Sequence, residues 1–239
     1  MKKYCLSTRL GLILALSFCS FFSFAQDLTA DPITLLKEGN KRFCSNQMKH
    51  QHQDQETLKD LTKGQHPFAV VISCSDSRVT PEIIFDQGLG DIFSIRTAGN
   101  VMADFEEGSI EYAVDHLNTQ LVVVLGHTHC GAIKAFLDTK QSKEGGKENE
   151  AHAHHHPQEN LGHIQSIIDK LDSEDEETEV FKCKEGDLYD KAIKANVAHG
   201  IKQLRESDPL LSKLYKDHKI NIVGAIYNIE SGEVEFLNL

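Results

Sequence analysis

The 239-residue chain contains no tryptophan, no internal repeat and no apolar run long enough to be a confident membrane span. It is also short of positive charge, with 25 Lys and Arg against 36 Asp and Glu, for a formal net charge of -11. That deficit argues against nucleic acid or an anionic membrane as a partner, because both are bound through clustered cations. What is present, 40% hydrophobic and 26% charged residues, excludes a disordered or fibrous chain and fits one globular domain.

The amino terminus reads differently from the rest. Lys2, Lys3 and Arg9 precede the apolar stretch from Leu10 to Phe24, which closes in Ser23-Phe24-Ala25 before Gln26. These are the n-region, h-region and small-x-small cleavage site of a secretory signal peptide, and a retained N-terminal anchor is the alternative. The expectation is a signal peptide over 1–25, a single mature domain over 26–239, a periplasmic location and no stable membrane span after cleavage. Losing those three cations takes the net charge from -11 to -14. Of six cysteines, Cys44, Cys74, Cys130 and Cys183 remain.

Along the mature chain, Asp31-Pro32 ahead of "ITLLKEGNKRF" predicts an N-cap, a proline at the first helical position and an amphipathic helix. "FAVVISC" and "LVVVLGH" are continuous runs rich in β-branched residues, the pattern of strands covered on both faces. "DIFSIRT" at 91–97 is a weaker third strand, and Ile110, Ala113, Val114 and Leu117 recur at helical spacing between the second and third runs. A helical segment from about Tyr189 to Arg205 precedes a fourth strand, "INIVGAIYNI" at 220–229, which runs through Ser231-Gly232 into a closing hairpin. The alternation predicts an α/β fold with a mainly parallel central sheet flanked by helices. Residues 139–160, rich in Gly, charge and His, read as an exposed insertion, and the acidic run at 172–179 as a solvated loop.

The chemistry gathers where the two strongest strands end. In a parallel sheet the carboxyl ends of the strands are where loops and helix starts are open to ligands. Cys74 sits at one such end, and His127 with Cys130 at the other. Two thiols and an imidazole are the donor set of a catalytic zinc site with its fourth position free. Taken singly, a strand-end cysteine is a small hydrophobe and His-x-x-Cys is common by chance. Asp76 and Arg78 beside Cys74 change that balance, because an arginine two residues from a carboxylate holds it in a bidentate pair and keeps it ionised.

"CSDSR" followed about fifty residues later by "GHTHCGA" resembles the β-class carbonic anhydrases. The likeness extends to "EGNKRF", "RTAGNV", "EYAVDHL" and "IVGAIYNIESGEVEFL", so it takes in essentially the whole mature chain apart from the His-rich insertion. The resemblance implies a β-carbonic anhydrase fold and one Zn2+ per chain on Cys74, His127 and Cys130. It implies a dyad of Asp76 and Arg78 that orients the attacking group, with Asp76 able in some members to become a fourth ligand and close the site. The implied reaction is reversible hydration of CO2 to bicarbonate and a proton by hydroxide generated at the zinc. It further implies a pocket lined by Gln65, Phe93, Tyr112 and Gly131, partly across a subunit boundary, in a homo-oligomer that is a dimer or a tetramer. One branch of the family has a tryptophan three residues before the first zinc cysteine and an inhibitory bicarbonate site beside it; Val71 stands there in this chain, which favours an open metal.

Two rivals share these residues: a hydrolase of a CO2 analogue such as carbonyl sulfide or carbon disulfide, and a periplasmic zinc-buffering protein. In the second, the working part would be the cluster of His152, His154, His155 and His156, whose imidazoles are good borderline ligands. Cys44 and Cys183 lie outside the metal motifs and could pair, remain reduced or be incidental.

Overall fold

Every residue of Ala69–Cys74 and of Leu121–His127 is buried, as continuous apolar runs require of strands sandwiched between helices. The structure, a computed structural model, describes residues 31–145, 162–173, 180–182 and 186–239. The expected signal peptide, the cluster from His152 to His156, Cys183 with its possible pairing to Cys44, and most of the acidic run lie outside those residues.

The elements run α1 (Pro32–Cys44), α2 (Gln55–Leu61), β1 (Ala69–Cys74), α3 (Pro81–Ile84), β2 (Ile92–Thr97), α4 (Asp104–His116), β3 (Leu121–His127), α5 (Gly131–Gly145), α6 (Ile164–Asp172), α7 (Leu188–Glu206), α8 (Leu211–Lys216), β4 (Asn221–Tyr227) and β5 (Val234–Phe236). Short 3-10 turns occur at Ala98–Asn100 and Val180–Lys182. The strands form one sheet in the order β2-β1-β3-β4-β5. All neighbours are parallel except the β4–β5 hairpin.

Alternate residues of each strand serve two cores. Val70, Ile72, Val122 and Val124 pack against α4, α5 and α7, while Ala69, Val71, Leu121, Val123 and Leu125 pack with Leu36 of α1 and with Ile84 and Phe85 at α3. Asp31 and Pro32 stand at the N-cap and first position of α1 as expected, but the Asp31 carboxylate accepts from the Thr34 hydroxyl and not from a backbone N–H. One boundary differs: residues 139–145, read as the start of the exposed insertion, form the last turns of α5. The apolar pattern stops there but the helix does not, because Thr139 and Ser142 turn their hydroxyls back onto the carbonyls of Ala135 and Asp138 and the intervening residues are good helix formers.

Candidate metal centre

β1 and β3 are direct neighbours in parallel register, so their carboxyl ends open side by side. The Sγ atoms of Cys74 and Cys130 and a ring nitrogen of His127 lie within 4.8 Å of one another. All three residues are buried, His127 completely. Nδ1 of His127 is 2.8 Å from the Thr128 carbonyl, which fixes the ring and leaves Nε2 free to coordinate a metal. Nε2 is fully buried and has no hydrogen-bond partner within the protein. A buried acceptor beside two sulfurs is an expensive arrangement for an ordinary core, and it is what a thiolate-preferring cation such as zinc requires of its ligands.

The local backbone brings these donors together. His129 adopts φ 57, a left-handed conformation uncommon for a non-glycine residue, and the tight turn it makes returns Cys130 toward His127. Cys74 Sγ accepts backbone N–H bonds from Gly99 at 3.2 Å and Asp76 at 3.4 Å. Gly99 itself sits at φ 70, and a Cβ there would meet that of Ala132 at 2.9 Å, so glycine is required on both counts. The neighbouring thiols push each other's pKa apart: the contact with Cys130 lowers that of Cys74 below the ordinary thiol range against the cost of burial, and the contact with Cys74 together with burial raises that of Cys130.

Asp76 lies beside the cluster and is gripped by Arg78. Arg78 Nε reaches Oδ1 at 2.9 Å and Nη2 reaches Oδ2 at 2.7 Å, with the Arg78 backbone N–H adding 3.0 Å to Oδ1. This fork keeps the carboxyl far below the usual carboxylate range, although partial burial opposes it. Arg78 Nη2 also donates to the His129 carbonyl at 3.2 Å, tying the two strand ends together. Arg96 steadies the same turn from β2, donating to the carbonyls of Cys74 at 3.2 Å and Asp76 at 2.7 Å. The sequence pattern does not single out Arg96, because its partners are backbone atoms.

The expected pocket residues fall into two groups. Gly131 follows Cys130 at the start of α5, and a Cβ on it would touch nothing within 4 Å, so the space before it is open. Gln65, Phe93 and Tyr112 are elsewhere. Gln65 precedes β1 at its amino end, and Phe93 pairs with Val70 while Cys74 pairs with Thr97. At about 3.3 Å per residue that sets Phe93 roughly 13 Å down the strand from the cysteine. The Phe93 and Tyr112 rings are 6.3 Å apart. Within one chain the structure does not bring these three to the metal cluster.

The fold and the cluster together define an α/β protein with a candidate metal centre at the carboxyl edge of its sheet. A carbonic anhydrase family model matches residues 69–234, and the chain belongs to the β-class carbonic anhydrase family. It is 55% identical over 102 residues to carbonic anhydrase 2 of Mycobacterium tuberculosis, covering 43% of this chain and 49% of that protein. It is 35% identical over 191 residues to a carbonic anhydrase of Synechococcus elongatus, covering 75% and 63% respectively. The chain thus spans about half the length of the first and under two thirds of the second. Among solved structures, the β-carbonic anhydrase CcaA superposes with a TM-score of 0.63 at 27% identity, covering 87% of this chain and 99% of that one. A Coccomyxa β-carbonic anhydrase in complex with acetazolamide gives 0.62 at 26% identity, covering 87% of each.

Proposed function

We propose that the protein catalyses the reversible hydration of CO2 to bicarbonate at a single zinc ion held by Cys74, His127 and Cys130. The observation that carries this reading is the convergence of two sulfurs and an unpartnered imidazole nitrogen next to the Arg78-clamped carboxylate of Asp76. Zinc held by these residues would lower the pKa of a bound water toward neutrality and so supply a nucleophile. Asp76 is engaged by Arg78 on both oxygens, which supports an open metal with the carboxylate held back as a hydrogen-bond acceptor. Its task is to orient the attacking water toward the carbon of CO2, and the open space before Gly131 is where substrate would approach.

The reading includes a second copy of the chain. β2 is one edge of the sheet among the described residues, and the elements around it carry Ile83, Leu89, Phe105 and Tyr112 as exposed large apolar side chains. Exposed edges and apolar surface of this kind favour association, and a two-fold partner there would present its Gln65, Phe93 and Tyr112 to a metal site they cannot reach in their own chain. Export to the periplasm through a cleaved segment 1–25 is part of the same proposal, resting on Lys2, Lys3, Arg9 and the Ser-Phe-Ala site.

The test is stopped-flow CO2 hydration by the zinc-loaded protein from about pH 6.5 to about 9, where an essential group's titration is visible. The parent chain should bind one zinc and be active at neutral pH. Cys74→Ser should lose both metal and activity, and Asp76→Asn should keep zinc while kcat falls about 100-fold or more. Because Arg78 depresses the Asp76 pKa, Asp76 is ionised throughout that range, so any rise of rate with pH belongs to the attacking water. A zinc-bound chain with no hydration activity at any pH would overturn the reading.

A further inference from the structure

Hydrogen bonds from a single helix reach the backbone turns at both cysteines. Tyr189, in the first turn of α7, donates its hydroxyl to the Cys130 carbonyl at 2.5 Å. Asn196 of the same helix donates its amide to the Gly99 carbonyl at 2.9 Å, and Gly99 is the residue whose own N–H bonds the Cys74 sulfur. Positions i and i+7 lie on one face, two turns apart, so one stripe of α7 touches both cysteine turns. Asn196 is buried and Tyr189 half-buried, and burial pushes the Tyr189 hydroxyl above its ordinary range, leaving it a donor.

The helix is well placed to be a rigid support. Val197 packs so closely on β3 and β4 that a Cβ on Gly126 would come within 2.6 Å of it, and one on Gly224 within 2.7 Å. No larger residue leaves room for that approach. Asp187 caps the first turn by accepting from the N–H groups of Tyr189 and Asp190 at 2.8 and 3.1 Å, so the backbone beneath the Tyr189 side chain is fixed as well.

We propose that Tyr189 and Asn196 are positioning residues for the metal: α7 fixes the two sulfurs independently, Tyr189 through the turn of Cys130 and Asn196 through the turn that hydrogen-bonds Cys74. The inference rests on the zinc reading above. Hydrogen bonds that orient metal ligands from behind are worth about 10- to 100-fold in metal affinity, and here the two act on different sulfurs through different backbone turns. Their losses should therefore multiply.

The experiment measures zinc release from the full chain into excess chromogenic chelator for the parent, Tyr189→Phe, Asn196→Ala, the double variant and Ile201→Val. Ile201 is buried on the same helix without a polar tie to either turn, so its variant controls for loss of packing. Tyr189→Phe and Asn196→Ala should each release zinc about 10-fold faster or more, the double variant by the product, and Ile201→Val at the parent rate even where its melting temperature falls. The cobalt-substituted Tyr189→Phe protein should also show a shifted thiolate-to-metal charge-transfer band, which a purely structural residue would leave in place. Tyr189→Phe removes one oxygen and preserves the ring, so it remains informative if Asn196→Ala folds poorly. Release at the control rate with unshifted bands would overturn the proposal while leaving the zinc reading intact. A parent chain that takes up no zinc would overturn the zinc reading and this proposal with it.

Discussion

The two ends of the central strands are built on opposite principles. At the carboxyl ends of β1 and β3 one chain supplies everything: two sulfurs, an imidazole, an ionised carboxylate and the arginine that clamps it, all tied by backbone hydrogen bonds. At the amino ends of β1 and β2, Gln65 is exposed, the Phe93 and Tyr112 rings meet each other and His116 stacks on Tyr112, with no candidate metal cluster there among the described residues. The first end has chemistry with little wall, and the second has wall without chemistry. Polar groups that must be exact to a fraction of an ångström are kept within one chain, where the covalent backbone holds them. Apolar lining tolerates looser placement and can be left to a subunit interface.

The comparison breaks first, and with the largest effect, at Arg78. Arg78→Lys keeps the charge but loses the fork on Asp76 and the bond to the His129 carbonyl, since an ammonium cannot span both oxygens in a plane. The expected outcome is an unchanged zinc content with kcat reduced about 100-fold, checked by metal analysis and stopped-flow hydration on the same preparation. If zinc is lost together with activity, the carboxyl end is not the self-contained unit described.

A smaller effect is expected at the other end. The pair Phe105→Asp and Tyr112→Asp places two charges on an edge where those side chains are 87% and 47% exposed, so neither should unfold the subunit. The double variant should elute from size exclusion as a single chain, still bind one zinc, and lose about 10-fold in kcat/KM. A monomer of full activity would mean that the amino end contributes nothing to the pocket.

The same contrast explains what could be read from the sequence. β1 and β3 were legible because strands covered on both faces must be apolar throughout, and their endings were legible because Cys, His, Asp and Arg have no cheap reason to sit together at a strand terminus. Tyr189 and Asn196 were not, because what they bind is backbone, 59 and 97 residues away in sequence, and no side-chain pattern encodes a carbonyl acceptor. Arg96 escaped for the same reason. The end of α5 is not legible in the pattern, because periodicity reports which face is buried, whereas the last turns of this helix are sustained by propensity and local hydroxyl bonds. The short helices α2 and α8 carry too few apolar positions to register as a period, whereas α6 does carry one, Ile164, Ile167, Ile168 and Leu171 at helical spacing, between the His-rich and acidic segments.

The smallest effect is expected where buried polarity serves neither end. Asp86 is fully buried, and its carboxylate receives Arg42 Nε at 2.5 Å and the backbone N–H groups of Lys49 and His50 at 3.0 and 3.1 Å. These bonds pin α1 and the segment after it onto the turn that follows α3. Burial alone would raise its pKa, but Arg42 and the two amides hold it below the usual carboxylate range. A folded pKa below the unfolded value makes its stabilisation fully present above about pH 4, the ordinary Asp value, and lost as pH falls further through the folded value. Asp86→Asn should therefore destabilise the protein by about 2 kcal/mol at neutral pH, and the gap between parent and variant in urea midpoints should close as acid protonates the parent. Zinc content and hydration rate of the folded variant should be unchanged, since none of these atoms touches the cluster. A pH-independent gap would mean that the contribution is packing and not charge, and a loss of zinc would mean that α1 supports the metal after all.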